Sequence, residues 1–366
     1  MSLVIFILIL AALILVHELG HFSVAKFFGI KVEEFGIGFP PRLLYIRKGE
    51  TVYSINLLFF GGFVKIFGED AAEGKGNPRS FASKSRWIQA AVIVAGICMN
   101  ILFAWLALSV GYMAGLPTSV DHEGFGTVTN SQVMVTAVLP NSPAQSAGLA
   151  PQDVIEKAQT SDASLDVRTL NTNMQAQVVR NFIADHGSQS VILTILRDGE
   201  EKTFLAKPVS GLVEGKMAIG VELDDVGVLK LSPPLALAQG AILTYGMTVS
   251  TAEGLGTFFW QIIRGAADFG SVAGPIGIAS IGSQAVSQGF SDVVVLTALI
   301  SINLAIINLL PIPGLDGGRL FIILIEGIIR RTINPRITNI ITIGGMAALI
   351  ILMLVVSYHD VLRLIG

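Results

Sequence analysis

The sequence predicts a polytopic α-helical membrane protein with four transmembrane helices, a membrane-associated β-hairpin and an inserted α+β domain. Hydrophobic residues make up 52% of the 366 residues and charged residues only 14%, whereas soluble domains carry about 25% charged residues. Four stretches are long enough to cross about 30 Å of hydrocarbon and hold at most one formal charge each. These stretches are 1–25, 87–120, 293–315 and 337–359.

The first apolar stretch contains a metal-binding pattern. Its only formal charge is Glu18, which stands between His17 and His21. Side chains four residues apart share one face of a helix, so both imidazoles can reach one zinc ion while Glu18 acts as a base. An ionisable side chain at membrane depth costs at least about 2.5 kcal/mol, which favours a functional role. The alternative is a signal-peptide core, but no basic region precedes the apolar run.

The third apolar stretch ends at a further candidate ligand. Pro311 and Pro313 remove backbone donors, so we expect the helix to break just before Asp316. His17 is about 24 Å from the start of its helix, which places it near the same membrane depth as Asp316. Two histidines and one aspartate leave the fourth position of a tetrahedral zinc open for water. Asp316 could instead only cap a helix that restarts at Gly317.

The basic residues predict the orientation in the membrane. The segment 26–86 carries ten Lys and Arg residues, which assigns it to the cytoplasm. With four spans, both termini then lie outside. The segment 117–288, which has sixteen acidic and nine basic residues, is expected on the same outer side, and the candidate ligands near the cytoplasmic side.

Two motifs together resemble a known family. Residues 17–21 and 308–317 look like the site-2 protease family of intramembrane zinc metalloproteases. Within that family they look like the bacterial branch that includes the regulator of sigma E protease. Residues 96–100 are similar to the Gly-x-x-x-Asn element of that family, and residues 274–277 also resemble a family segment. The resemblance covers nearly the whole chain.

The resemblance implies a role for each matched residue and Zn²⁺ as the cofactor. An asparagine side chain offers both donors and an acceptor, so it can hold a peptide backbone that has lost its helical hydrogen bonds. The implied zinc ligands are His17, His21 and Asp316, the implied general base is Glu18, and the implied substrate contacts are Asn308 and Asn303.

A β-branched and aromatic segment in the basic loop predicts a hairpin. Residues 52–60 and 63–67 flank Gly61 and Gly62, which we expect to form a two-residue turn. A transmembrane substrate must unwind before its carbonyls are accessible, so we expect the hairpin to lend it a strand edge. The contacts would be the two glycines and Phe63, as in the membrane-reentrant β-loop of the family. A peripheral cytoplasmic hairpin is the alternative.

The acidic region predicts an extracytoplasmic PDZ-like α+β domain at 117–226. Residues 140–155 resemble the ligand loop of a bacterial-protease PDZ domain, in which backbone N–H groups receive a peptide carboxylate. Gly148 and Leu149 are the expected ligand residues. Gln152 stands where the family has glycine, and only one such signature is present. Peptide capture and pure gating of access are equally open.

The other segments complete the expected domain order. Residues 1–116 hold the first two spans and the hairpin, and residues 289–366 hold the last two spans. Residues 227–288 predict an amphipathic connector at the outer membrane surface, or else a packed connector. The single cysteine, Cys98, excludes an internal disulfide and a Cys-ligated zinc site, and we expect it to be buried. Phosphate-loop, dinucleotide and nucleic-acid motifs are absent.

These features predict a zinc-dependent intramembrane endopeptidase. The resemblance implies single-span substrates, such as anti-sigma-factor-like stubs or remnant signal peptides, in the bacterial inner membrane. Two other classes stay open: a non-catalytic adaptor that holds partners through the PDZ-like domain, and a zinc-dependent transporter. Against the adaptor stands the complete set of candidate ligands and base, since binding alone needs no base. Against the transporter stands the lack of an inverted repeat.

Overall fold

A computed structural model of the chain describes residues 2–69, 76–170, 174–197, 199–213, 216–266 and 274–365. Within these ranges the helices are α1 (Ser2–Phe27), α2 (Arg86–Ala114), α3 (Pro143–Ala147), α4 (Gln175–Asp185), α5 (Pro233–Ile263), α6 (Pro275–Gln288), α7 (Phe290–Leu309), α8 (Asp316–Ile329) and α9 (Pro335–Ile365). The strands are β1 (Val32–Lys48), β2 (Thr51–Ile66), β3 (Leu116–Ser119), β4 (Thr129–Val138), β5 (Val154–Gln159), β6 (Ser164–Asp166), β7 (Val191–Arg197), β8 (Glu200–Ala206), β9 (Val209–Val213), β10 (Lys216–Ala218) and β11 (Val221–Leu229).

Four of the described helices are long and apolar enough to cross a membrane. They are α1, α2, α7 and the segment Arg336–Leu362 of α9. Each one coincides with a predicted apolar stretch, so the prediction of four helices long and apolar enough to span a membrane is confirmed. Helix α5 and helix α6 occupy most of the predicted connector, and its residues 267–273 lie outside the described part of the chain.

The chain divides into two compact units. The first unit comprises Met1–Gly111 and Gly240–Gly366, and the second comprises Tyr112–Gln239. The second unit contains a mixed α+β fold whose main sheet has the strand order β3-β11-β4-β5-β7-β8, with β6 paired to β5. Alternate residues of β7, such as Leu193 and Ile195, are fully buried and form the core with α4, as expected for strands with one covered face.

In the first unit, α1 packs very closely against α2. A Cβ atom on Gly20 would lie 2.4 Å from the carbonyl oxygen of Ala95 and 2.9 Å from Cα of Gly96. Only glycine leaves room for this approach, which is the way small residues let membrane helices pack backbone to backbone. The position therefore needs glycine for packing.

The two glycines expected at the hairpin turn lie inside a strand instead. The hairpin forms between β1 and β2, but its turn falls at Gly49 and Glu50. The prediction of a turn at Gly61 and Gly62 was wrong, because both residues lie inside β2 and Gly62 pairs with β1. Glycine within a strand often marks close approach of another backbone, and a Cβ on Gly62 would lie 3.0 Å from the carbonyl oxygen of Gly36.

The hairpin strands are long and bent, and they pair more than once. Residues 34–37 of β1 pair with 62–65 of β2 on one side and with 52–55 on the other. Residues 52–55 pair in turn with 44–47. Among the described strands, no other strand pairs with 62–65. These residues therefore form an open edge of the small sheet.

Cys98 is exposed, so the prediction of a buried cysteine was wrong. Gly96 and Asn100 of α2 face the first helix and are buried. Two residues correspond to a rotation of about 200° around a helix, so Cys98 points to the opposite side, which is not covered by the described residues.

We predict that Gly20→Ala destabilises the protein. The added methyl group would overlap the backbone of Ala95, and overpacking of this kind costs about 1–3 kcal/mol. Thermal unfolding in detergent micelles measures the effect. The matched control is Gly246→Ala in α5, where an added Cβ meets nothing within 4 Å and should be neutral or stabilising. Equal unfolding temperatures for both variants would contradict the proposed packing.

Candidate metal centre

Two buried imidazoles lie one helical turn apart on α1. His17 and His21 are only 7% and 8% exposed, and their Nε2 atoms are 3.1 Å apart. The spacing of four residues directs both side chains to one face of the helix. This arrangement is the one that the sequence predicts.

Asp316 joins this pair as the first residue of α8. Its Oδ2 atom lies 2.8 Å from Nε2 of His17 and 3.1 Å from Nε2 of His21. Helix α7 ends at Leu309, so the predicted break before Asp316 is confirmed. Two prolines stand in the break, where their missing N–H groups stop the helix from continuing.

The donor atoms fit a zinc ion. The three atoms form a triangle with sides of 2.8, 3.1 and 3.1 Å. Ligands at tetrahedral angles around a zinc ion, with bonds of about 2.0–2.1 Å, would be separated by about 3.3 Å. Within the described part of the chain this is the group of His, Cys, Asp and Glu side chains that could hold a metal. Three protein ligands leave a position open for a reacting molecule.

Helix α2 supports both imidazoles from behind. Nδ1 of His21 lies 2.8 Å from the carbonyl oxygen of Val92, to which it can donate. Nδ1 of His17 lies 3.4 Å from Nδ2 of Asn100, which is fully buried. Partners of this kind fix the orientation of metal-binding histidines. The Gly-x-x-x-Asn element is visible in the sequence but does not by itself indicate this role. Val92 acts through its backbone carbonyl, which no sequence motif marks.

The glycine of that element is a steric requirement. A Cβ on Gly96 would lie 2.5 Å from Nε2 of His21 and 2.8 Å from Cε1 of His17. Any side chain there would push against both imidazoles. Gly96 thus lets α2 lie directly behind the metal centre.

The start of α8, which carries Asp316, is held in place by Arg319. Arg319, one turn further along α8, donates to the carboxylate of Glu69 and, at 2.8 Å, to its carbonyl oxygen. The guanidinium also lies over the ring of Phe81, with 4.8 Å to the centroid. The start of α8 is thereby tied to the segment that follows β2.

The predicted base and the hairpin lie next to each other. A Cβ on Gly62 would lie 3.7 Å from Cγ of Glu18, and one on Gly61 would lie 3.3 Å from Cδ1 of Ile14. The ring of Phe63 packs over Gly36 within the sheet. The open edge of the hairpin therefore starts beside the carboxylate of Glu18.

The two predicted asparagines lie on α7. Asn303 and Asn308 are half-buried, and Asn308 stands in the last turn before the helix ends. Among the described residues, neither side chain makes a hydrogen bond to protein. Their contact with substrate stays a prediction.

The predicted PDZ ligand loop already uses its backbone donors. Gly148 has a left-handed conformation with φ of +91° and ends α3, and its N–H donates to the carbonyl oxygen of Gln145. The N–H of Leu149 donates to the carbonyl oxygen of Ala144, and the Leu149 side chain belongs to the core. A peptide carboxylate would have to replace these bonds. The ligand role of this loop stays a prediction.

An ion pair between Asp153 and Arg197 fixes the same loop. Asp153 is fully buried and accepts two hydrogen bonds from Arg197, of 2.6 and 2.7 Å. Arg197 also donates to the carbonyl oxygen of Gly148 at 2.9 Å. The paired, two-pronged contact gives this segment a fixed geometry.

The chain is similar to known proteins over nearly its whole length. The chain matches peptidase family M50 over residues 5–352. A relative from Clostridium perfringens, CPE1693, is 33% identical over an alignment of 362 positions that covers 97% of each chain. Zinc metalloprotease RasP from Bacillus licheniformis is 28% identical over a gapped alignment of 443 positions that covers 98% of each chain. The predicted family and the predicted zinc cofactor are confirmed. The chain belongs to peptidase family M50, the site-2 protease family, and is a zinc metallopeptidase of the membrane.

Proposed function

We propose that this chain is an endopeptidase that cleaves transmembrane segments inside the bilayer, with zinc held by His17, His21 and Asp316. The convergence of two imidazoles and one carboxylate from α1 and α8 carries this proposal. When bound, zinc supplies Lewis acidity, which polarises a carbonyl and lets water lose a proton near neutral pH. The carboxylate of Glu18 lies on the same helix as both histidines.

Proton transfer and substrate binding are assigned to three further side chains. Glu18 takes the proton from the attacking water and later gives it to the leaving nitrogen. Asn308 and Asn303 hold the substrate backbone through their amide groups, since an unwound peptide has lost its own hydrogen bonds. Ligation and proton transfer are thereby assigned to different residues.

The edge of the hairpin sheet offers a place for the unwound substrate. The N–H of Phe67 donates to the carbonyl oxygen of Lys31 at 2.9 Å, so it points toward β1. Backbone groups of successive strand residues alternate in direction, so the N–H of Val64 points away from β1. An extended peptide could pair with this edge and enter beside Glu18, the strand-addition mode of peptide recognition.

The orientation follows from the basic residues. We place the segment 26–86 and the start of α8 at the cytoplasmic side, and both termini and residues 117–226 outside. Substrates are single-span membrane proteins or remnant signal peptides, by the resemblance to site-2 proteases. The PDZ-like domain either captures their ends or limits access.

We predict that Glu18→Gln abolishes cleavage and leaves zinc in place. Glutamine keeps the shape of the side chain but cannot take a proton, and loss of a general base costs about 10²–10⁴-fold in rate. Cleavage of a single-span peptide in liposomes and zinc content measure both effects. The control is Glu253→Gln, an exposed carboxylate in α5, which should cleave normally.

The same variant separates the other function classes. An adaptor would still hold its partners and a transporter would still pass zinc after Glu18→Gln. Cleavage at the normal rate by this variant would overturn the assigned base.

We predict that Asp316→Asn weakens zinc binding severely. A neutral amide is a poor substitute for a carboxylate ligand. Removal of an outer-shell partner lowers metal affinity about 10–100-fold, and loss of a ligand should lower the zinc affinity further. Competition with a chelator measures the affinity. Asp185→Asn, on an exposed turn of α4, is the control. Unchanged affinity in Asp316→Asn would remove Asp316 from the ligand set.

We predict that Val64→Pro reduces cleavage of a helical substrate without removing zinc. Proline deletes the outward N–H that a substrate strand would use but leaves the neighbouring donors toward β1. Val64→Ala is the matched control, since it trims the side chain and keeps the N–H. Equal cleavage rates for the two variants, measured in liposomes, would reject strand addition at this edge.

A further inference from the structure

Asn100 lies next to His17, where it can influence which ring nitrogen of His17 carries the proton. Nε2 of His17 faces Asp316 and His21, at 2.8 and 3.1 Å. A neutral imidazole carries one proton, on either Nδ1 or Nε2, and a metal ligand must present an unprotonated nitrogen. For His17 to bind zinc through Nε2, its proton must therefore be on Nδ1.

The protonated Nδ1 would need an acceptor, and the surroundings of His17 limit the choice. Nδ1 lies 3.4 Å from the side-chain amide of Asn100. Asn100 is fully buried, and its Oδ1 atom has no hydrogen-bond partner among the described residues. A buried acceptor without a partner is unfavourable, because it has lost its hydrogen bonds to water. Such an atom next to a metal ligand points to a bond made in another state.

The amide group can serve both proton positions of His17. With Nδ2 toward the ring, as the structure has it, Asn100 donates to an unprotonated Nδ1 and Nε2–H donates to Asp316. Rotation of the amide by 180° brings Oδ1 toward the ring, where it accepts from Nδ1–H and leaves Nε2 unprotonated. Asparagine is suited to this exchange because its side chain carries donors and an acceptor on one planar group.

The backbone of Asn100 is held in place by a hydrogen bond from α7. Oγ of Ser301 on α7 donates to the carbonyl oxygen of Asn100 at 2.8 Å, and both residues are fully buried. His21 has a fixed counterpart, since its Nδ1 lies 2.8 Å from the carbonyl oxygen of Val92. One ligand is thus oriented by a backbone carbonyl and the other by an amide.

We propose that Asn100 is a positioning residue that accepts a hydrogen bond from Nδ1–H of His17 and so presents Nε2 of His17 to zinc. The inference rests on the ligand set of the proposed function. It adds a residue of α2 that acts on the metal only through His17.

The test compares zinc affinity across three variants, measured by chelator competition on the full chain in detergent micelles. Asn100→Leu removes the acceptor at similar volume and should lower the affinity about 10–100-fold, the usual cost of losing an outer-shell partner. Asn100→Asp keeps an acceptor and should stay within about threefold of the unmodified protein. Ser109→Ala, another buried polar position on α2, should bind zinc normally.

Cobalt provides a second readout. The visible absorption of the Co²⁺-substituted protein reports ligand geometry, and it should be preserved in Asn100→Asp and altered in Asn100→Leu. Normal zinc affinity in Asn100→Leu would overturn the proposal, as would a loss in Asn100→Asp as large as that in Asn100→Leu. If Asn100→Leu does not fold, Asn100→Asp alone decides: affinity near normal supports the proposal and a tenfold loss contradicts it.

The outcome separates this inference from the proposed function. Normal affinity in Asn100→Leu together with loss in Asp316→Asn would remove only the role of Asn100. Normal affinity in Asp316→Asn would remove the ligand set itself, and the role of Asn100 with it.

Discussion

One convergence organises the membrane part of this protein: the carboxylate of Asp316 lies 2.8 Å from an imidazole that is 299 residues away in the chain. Polar groups at membrane depth are costly unless they pair with one another or bind an ion. Two helices must therefore meet with their polar atoms aligned. The break before α8 makes this possible, because it allows Asp316 to stand at a helix start instead of inside a continuous span.

Helix α2 supplies the frame for this meeting. Gly20 of α1 touches its backbone, and Gly96 lies directly behind both imidazoles. Helix α2 also places the carbonyl of Val92 next to His21 and the amide of Asn100 next to His17. The hairpin then adds an open strand edge beside Glu18. The residues to which we assign ligation, proton transfer and substrate pairing are thus close together on neighbouring elements of one compact unit.

The clustering of His17, His21 and Asp316 could be predicted because its signals are local. Histidines four residues apart need only a helix to share one face, and two prolines mark the break before Asp316. The contributions of α2 could not be derived in the same way. No spacing or helix break in α2 links Asn100 to His17, which lies 83 residues away, and the carbonyl of Val92 has no sequence signature.

The hairpin shows why a local signal can mislead. A pair of glycines between β-branched residues suits a tight turn, and it also suits a strand that passes close to another backbone. The long pairing of β1 with β2 favoured the second outcome for Gly62. The prediction that Cys98 is buried was wrong for a related reason. Membrane helices expose apolar side chains that a soluble core would bury.

X-ray absorption at the zinc edge of the purified protein in lipid nanodiscs tests the central claim most directly. We expect two imidazole nitrogens and oxygen ligands at about 2.0–2.1 Å, with one oxygen ligand altered or lost in Asp316→Asn. A spectrum without imidazole scattering, or one that Asp316→Asn leaves unchanged, would contradict the convergence of α1 and α8 on one metal.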